Sequence, residues 1–137
     1  MALTHLLDTS VLTRLREPTV REAIEPRAQA GELARGTISD LEVGFSARNA
    51  REWDRLADGL GAFESMDAMA EHVRRAKQVQ RLLAAKHQRG RKIPDLLVAA
   101  TAEAHSLTVL HYDADFDLIA AVTGQSCEWV VPPGSVD

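Results

Sequence analysis

The sequence has one cysteine, Cys127, in 137 residues. An internal disulfide is therefore excluded, and without a second thiol there is neither a zinc knuckle nor a redox pair. A buried structural thiol is the expected role. Aromatic residues make up only 4% of the chain, and Trp53, Trp129 and Tyr112 read as core or interface residues. The five histidines, His5, His72, His87, His105 and His111, lack the mutual spacing of a zinc site or a catalytic dyad and read as surface or packing residues. No stretch approaches the ~18 apolar residues of a membrane span. The first residues show neither the charged flank nor the cleavage site of a signal peptide, which makes the cytosol the expected location. Repeats, low-complexity tracts and linkers are absent, and the only Pro/Gly-rich stretch is Pro132-Pro133-Gly134. With 45% hydrophobic side chains, the chain supports one core, and one domain over residues 1–137 is expected.

A basic excess is missing too. The net charge is −4, which by itself argues against a polyanionic partner. The distribution weakens that argument. From His72 to Lys92 there is no Asp or Glu, yet the segment holds Arg74, Arg75, Lys77, Arg81, Lys86, Arg89, Arg91 and Lys92, half of all Lys and Arg. Five of the 20 acidic residues, Asp8, Glu42, Asp95, Asp113 and Asp115, are candidate cation ligands for the reasons below; the other 15 stand against 16 basic residues. The acid-free segment has the composition of a solvated helix face. Clustered Lys and Arg also suit phosphate contacts, with Arg74 and Arg81 as candidates.

The segment THLLDTSVL predicts a strand ending near Leu7, then the turn-favouring Asp8-Thr9-Ser10 and a helical start. Helical composition follows from Pro18 to Ala30, with Pro26 expected to kink or end it. A second strand is expected within Leu33 to Ile38, and Ser39 with Glu42 three residues on has the form of a capping box opening a helix. A helix over Glu52 to Leu60 and a short strand over Ala62 to Glu64 come next. Met69, Val73, Ala76, Val79 and Leu83 share one face of a long helix from Asp67 to Arg89, with the basic side chains opposite and Gly90 as its stop. Pro94 suits the first turn of a helix that runs to about Ser106. SLTVLHYD is a strand to about His111, Phe116 to Val122 is helical and stopped by Gly124, and Glu128 to Val131 is the last strand. Strands alternating with helices predict an α/β fold, a mostly parallel sheet covered on both faces. Ligands of such sheets bind at the carboxyl ends of strands, near the point where strand order reverses. Asp8 and Asp113 follow strands, and Glu42 and Asp95 lie in first turns of helices, so four acids can converge on one sheet edge.

Converging carboxylates repel one another and take up protons unless a cation compensates. Oxygen ligands without histidine or thiolate favour Mg²⁺ or Mn²⁺, whose natural chemistry in such a site is phosphodiester hydrolysis. Each acid also has a structural explanation. Asp8 is a suitable helix cap, Glu42 fills the third position of a capping box, and Asp95 answers the dipole of a helix start. HYDADFD could be a solvated turn; it lacks the Gly and distal Glu of an EF-hand loop. Thr4 and Thr9 read as cap or strand residues, and Ser10 is a candidate for a water or metal contact.

Four segments, LLDTSVL, SDLEVG (Ser39 to Gly44), IPDLLVAA (Ile93 to Ala100) and HYDADFD (His111 to Asp117), resemble in order and spacing the PIN-domain toxins of the VapC type, over nearly the whole chain. The resemblance implies a three-layer α/β/α sandwich and a Mg²⁺- or Mn²⁺-dependent endoribonuclease of a prokaryotic type II toxin–antitoxin system. It further implies structured RNA such as tRNA as substrate, a homodimer, and a VapB-like antitoxin that blocks the site with its C-terminal segment, often through an arginine. The family's acidic positions carry over onto Asp8, Glu42, Asp95 and Asp113, with Asp115 at a further position that many members keep. Ser10 is the closer match to the hydroxyl that follows the first acid. The implied reaction is attack of metal-activated water on an RNA phosphodiester, leaving a 5′-phosphate and a 3′-hydroxyl, with Arg14 and the basic helix face available to hold phosphates. Two other readings stand beside this one. A phospho-acceptor receiver also gathers acids and Mg²⁺ at strand ends, but wants adjacent acids after its first strand and a lysine after the penultimate one. A catalytically idle binding module would keep the fold and pair with a regulator.

Overall fold

The computed structural model describes residues 2–88 and 92–137. Five short strands, β1 (His5–Leu7), β2 (Leu33–Gly36), β3 (Glu64–Met66), β4 (Thr108–His111) and β5 (Cys127–Trp129), form one sheet in the order β3-β2-β1-β4-β5. Every neighbouring pair is parallel. Parallel neighbours require crossovers, supplied by α1 (Thr9–Leu12), α2 (Pro18–Gln29), α3 (Thr37–Phe45), α4 (Ala50–Leu60), α5 (Ala70–Ala85), α6 (Ile93–Ala104) and α7 (Asp115–Thr123). Alternation along the strands divides the core in two. Leu6, Ala34 and Val109 pack with Ala76, Leu83, Ala99, Phe116 and Ile119 of α5, α6 and α7. Leu7, Leu33 and Leu110 pack with Val11, Val20, Ile24, Val43 and Leu60 of α1 to α4. The result is the expected three-layer α/β/α sandwich, whose strands are apolar on both faces because both are covered. The chain builds outward from β1 through β2 and β3, then crosses to β4 and β5. The switch point therefore lies between β1 and β4. Receiver-like sheets have the order 2-1-3-4-5, so that reading does not fit. Among the described residues no helix is long and apolar enough to cross a membrane.

Several expected boundaries change, each for a physical reason. Helix α2 runs through Pro26 to Gln29. Pro26 is exposed, and so is Glu22, the residue whose carbonyl loses its helical donor. Helix α3 begins at Thr37, directly after the extended Gly36, not at Ser39. Ser39 and Glu42 thus lie inside the helix, and no capping box forms. Strand β3 starts at Glu64 because its register with β2 pairs Ala34 with Glu64 and Gly36 with Met66. Helix α5 spans only Ala70–Ala85, and its buried face is His72, Ala76, Val79 and Leu83. Met69 and Val73 are about half exposed, at 50% and 47%. His72 replaces them because its Nδ1 accepts the Met69 backbone N–H at 3.0 Å. The helix closes in a Schellman turn, with Gln88 N–H on the Leu83 carbonyl and His87 at φ 59°. The expected continuation to Arg89 and the stop at Gly90 lie outside the described residues. Cys127 is half-buried against the α5–α7 side of the core, and burial pushes its thiol up to about 12, which suppresses reactivity.

Candidate active site

Asp8 follows β1, and Asp113 lies two residues beyond β4, so the switch point brings them together. Asp8 caps α1 from an extended backbone, its Oδ2 accepting the Ser10 backbone N–H at 2.9 Å and the Ser10 hydroxyl at 2.6 Å. Ser10 Oγ in turn accepts the Tyr112 N–H at 2.8 Å. One hydroxyl therefore ties the acid after β1 to the chain leaving β4. Asp95 enters from the first turn of α6, where Pro94 fixes the helix start. Asp8, Thr9, Ser10, Thr13, Arg14, Glu42, Lys92, Asp95, Tyr112 and Asp113 line one open cleft. Asp115 adds a carboxylate: one oxygen each of Asp95, Asp113 and Asp115 lies within 4.8 Å of the others.

Glu42 reaches the cleft from the second turn of α3. Its Oε1 accepts the Thr9 hydroxyl at 2.6 Å, and Thr9 Oγ1 is 2.9 Å from the fully buried Ser39 Oγ. The local capping explanation for Glu42 thus gives way to a tertiary hydrogen bond. Thr9→Val is expected to release this carboxylate and to cost about 1–2 kcal/mol. Chemical denaturation checks it, and an unchanged midpoint would mean that Glu42 is held by other contacts.

The acids divide electrostatically. Asp8 and Asp95 are only 2% and 4% exposed, and Asp8 Oδ1 and Asp95 Oδ2 have no hydrogen-bond partner. Burial raises the Asp8 pKa, with a smaller push from Glu42, against the pull of the Ser10 hydroxyl and backbone N–H. Burial and the Asp8 charge push Asp95 up to about 8, with Asp113 and Asp115 adding and Lys92 opposing. Asp113 goes the other way. Burial disfavours its charge, but the Lys92 ammonium at 2.7 Å and the Asp115 N–H at 2.9 Å hold its pKa below the ordinary value. Behind it, His111 is fully buried against Phe116 and Trp129, and its Nδ1 accepts the Asp113 N–H at 3.2 Å. Burial lowers the His111 pKa and favours the neutral ring, and its Nε2 is buried without a hydrogen-bond partner among the described residues. Buried oxygens of Asp8 and Asp95 without donors, and the convergence of Asp95 with Asp113 and Asp115 in a cluster that among the described residues includes no histidine or cysteine, suit a hard divalent cation. The residues present fit such an ion.

A family model for the PIN domain matches residues 5–122. The chain belongs to the PIN domain family. Ribonuclease VapC51 of Mycobacterium tuberculosis is 64% identical over 137 residues, which is the whole of both chains. Ribonuclease VapC21 of the same organism is 43% identical over 98% of this chain and 99% of its own. Among solved structures, the DNA-bound VapBC of Salmonella typhimurium superposes with a TM-score of 0.77 at 18% identity, over 94% of this PIN domain and 99% of that chain. VapBC-5 of M. tuberculosis gives 0.67 at 22% identity, over 93% and 98%. At those identities the structures speak for the fold alone; the sequence relatives set this PIN domain among VapC ribonucleases.

Arg74 and Arg81 do not join the PIN-domain cleft: both are exposed on α5. Their neighbour Arg75 is paired at 2.7 Å with Glu103 near the far end of α6 from Asp95. Three residues of the cleft and its backing carried no sequence signal as site residues. Lys92 was one of many cations in a basic stretch, although its place three residues before an acid at a helix start hinted at a pair. His111 and Tyr112 read as packing residues. Only the parity of β4, which puts His111 on the same face as Val109 and next to the emerging Asp113, could have pointed to the histidine.

Proposed function

We propose that this PIN-domain protein is a Mg²⁺- or Mn²⁺-dependent endoribonuclease, the toxin of a VapBC-like toxin–antitoxin pair in a prokaryotic cytoplasm. The observation that carries the reading is the pair of buried, unpartnered oxygens on Asp8 and Asp95 beside the Asp113–Asp115 cluster. Asp8, Asp95 and Asp113 are the ligands we assign, with Glu42 and Asp115 as further contributors. A divalent ion bound there supplies a water of lowered pKa and positive charge for the phosphate. Ser10 orients Asp8, Thr9 orients Glu42 and His111 orients Asp113, so that the carboxylates are placed before substrate arrives. With such an ion held by Asp8, Asp95 and Asp113, hydrolysis would join a water oxygen to phosphorus, break the bond to the 3′ oxygen and pass a proton of that water to it, leaving a 5′-phosphate and a 3′-hydroxyl. Structured RNA, tRNA above all, is the substrate class we favour. Incubating the protein with total RNA in Mn²⁺ and mapping the new 5′-phosphate ends tests this. Discrete cleavage that vanishes in EDTA is expected, and intact RNA under both conditions would overturn it.

Arg14 is our choice for the phosphate contact. It lines the cleft, its Nη1 donates to the Ser10 carbonyl at 2.8 Å and its Nε to the Asp137 carbonyl at 2.7 Å, and its guanidinium lies 4.9 Å from the Tyr112 ring centroid. A guanidinium fixed by main-chain acceptors still carries its full charge toward an anion. Arg14→Ala is expected to raise KM about tenfold with kcat little changed, and to flatten the salt dependence of RNA binding by about one phosphate contact. An unchanged salt slope would remove Arg14 from the phosphate path.

A VapB-like antitoxin is the protein partner we assign, on the strength of sequence relatives named as VapC and structural neighbours solved as VapBC complexes. Leu41 and Phe45, which are 71% and 83% exposed, line one groove with Ile38, Pro94 and Leu97, an apolar face that supports a homodimer. Equilibrium sedimentation showing only monomer at micromolar concentration would remove that part of the reading.

A further inference from the structure

Lys92 is the N-cap residue of α6, three residues before Asp95. Its ammonium lies 2.7 Å from Asp113 Oδ2 and 3.9 Å from Asp95 Oδ2, the buried oxygen with no hydrogen-bond partner. It therefore touches two of the three acids whose oxygens converge within 4.8 Å. An ordinary surface ion pair contributes little, but these acceptors are not at the surface: the Asp95 and Asp113 side chains are 6% and 19% exposed. The lysine side chain itself is 60% exposed. Its charge rides on a flexible four-carbon stem, so the ammonium can swing into solvent without opening the core.

Resting on the reading of these acids as a divalent-cation site, we propose that Lys92 is a tethered cation that fills part of that site in the metal-free protein and is displaced from Asp113 when the divalent ion enters. The ammonium compensates the converging carboxylates while no ion is present. It also weakens ion binding, because each ion must evict it. Metal affinity in this protein is then set by competition with an internal positive charge as well as by the acids.

Calorimetric titration of the metal-free full chain with Mn²⁺ at pH 8, together with melting in EDTA, tests this without reference to cleavage. Lys92→Met keeps the length of the stem and removes the charge; Lys92→Arg keeps the charge. Lys92→Met is expected to bind Mn²⁺ about tenfold more tightly than the wild type and to melt at a lower temperature in EDTA, with Lys92→Arg close to the wild type in both. Equal or weaker Mn²⁺ binding by Lys92→Met, beside clear wild-type binding that Asp95→Asn loses, would overturn the tethered cation and leave the acid site standing. Absence of Mn²⁺ binding by the wild type at millimolar concentration would overturn both.

Discussion

Asp95→Asn is expected to lower RNA cleavage on the order of 10³-fold and, in the same molecule, to stabilise the metal-free protein at pH 8. The two effects have one cause. Asp95 is buried beside Asp8, and its pKa of about 8 lies far above the ordinary 3.8. Between those values the folded protein keeps a proton that the unfolded chain has released. Folding stability is then fully present below the unfolded pKa and falls as pH rises toward the folded one. Each pH unit in that window is worth about 1.4 kcal/mol, so the metal-free wild type should lose about 1–2 kcal/mol between pH 6.5 and 8. Asparagine cannot ionise, and the variant's pH dependence should be shallower, with the remaining slope due to the raised pKa of Asp8. Saturating Mn²⁺ should reverse the ranking, because an ion that binds only the folded wild type adds about 2.7 kcal/mol at a hundred times its Kd. Melting curves at pH 6.5 and 8, with EDTA and with Mn²⁺, decide the matter. The same slope in both proteins without metal, or full cleavage by the variant, would remove Asp95 from the site.

Ser10→Ala is expected to cost about 2 kcal/mol of stability and to reduce cleavage about tenfold or more even well below the melting temperature. The Ser10 hydroxyl is the shared partner of Asp8 Oδ2 and the Tyr112 N–H. Its removal leaves a half-buried backbone donor unpaired just beyond β4 and deprives a buried carboxylate of its hydroxyl donor. Ser10 also lowers the Asp8 pKa, so the variant should hold a proton on Asp8 more firmly and need more Mn²⁺ to reach its maximal rate. Chemical denaturation and a Mn²⁺ titration of the cleavage rate measure the two consequences. Wild-type stability would show that the hydroxyl is not the link between β1 and β4. Wild-type metal dependence would show that Asp8 does not need it.

The positions of Asp8, Asp95 and Asp113 were legible in the sequence because each sits where a local pattern ends or begins. An apolar run stops before Asp8 and before Tyr112-Asp113, and a proline opens the helix that carries Asp95. The same locality misled at Glu42. Ser39 and Glu42 have the spacing of a capping box, yet α3 had already begun at Thr37, and the carboxylate was claimed by Thr9, 33 residues away. On α5 the period of the helix was right, but its direction was off by about one residue. At 3.6 residues per turn that is enough to turn Val73 outward and His72 inward.

Composition and periodicity by themselves determined the α/β class, the crossovers between parallel strands and the convergence of acids on one sheet edge. These follow from short-range rules of burial, strand alternation and helix starts. Tertiary structure alone decided which acids lose their hydrogen-bond partners, that Ser10 ties Asp8 to Tyr112 across 102 residues, and that Lys92 lies on Asp113. Those pairings join segments distant in sequence, and their protonation depends on burial and on neighbouring charges that exist only once the layers have packed.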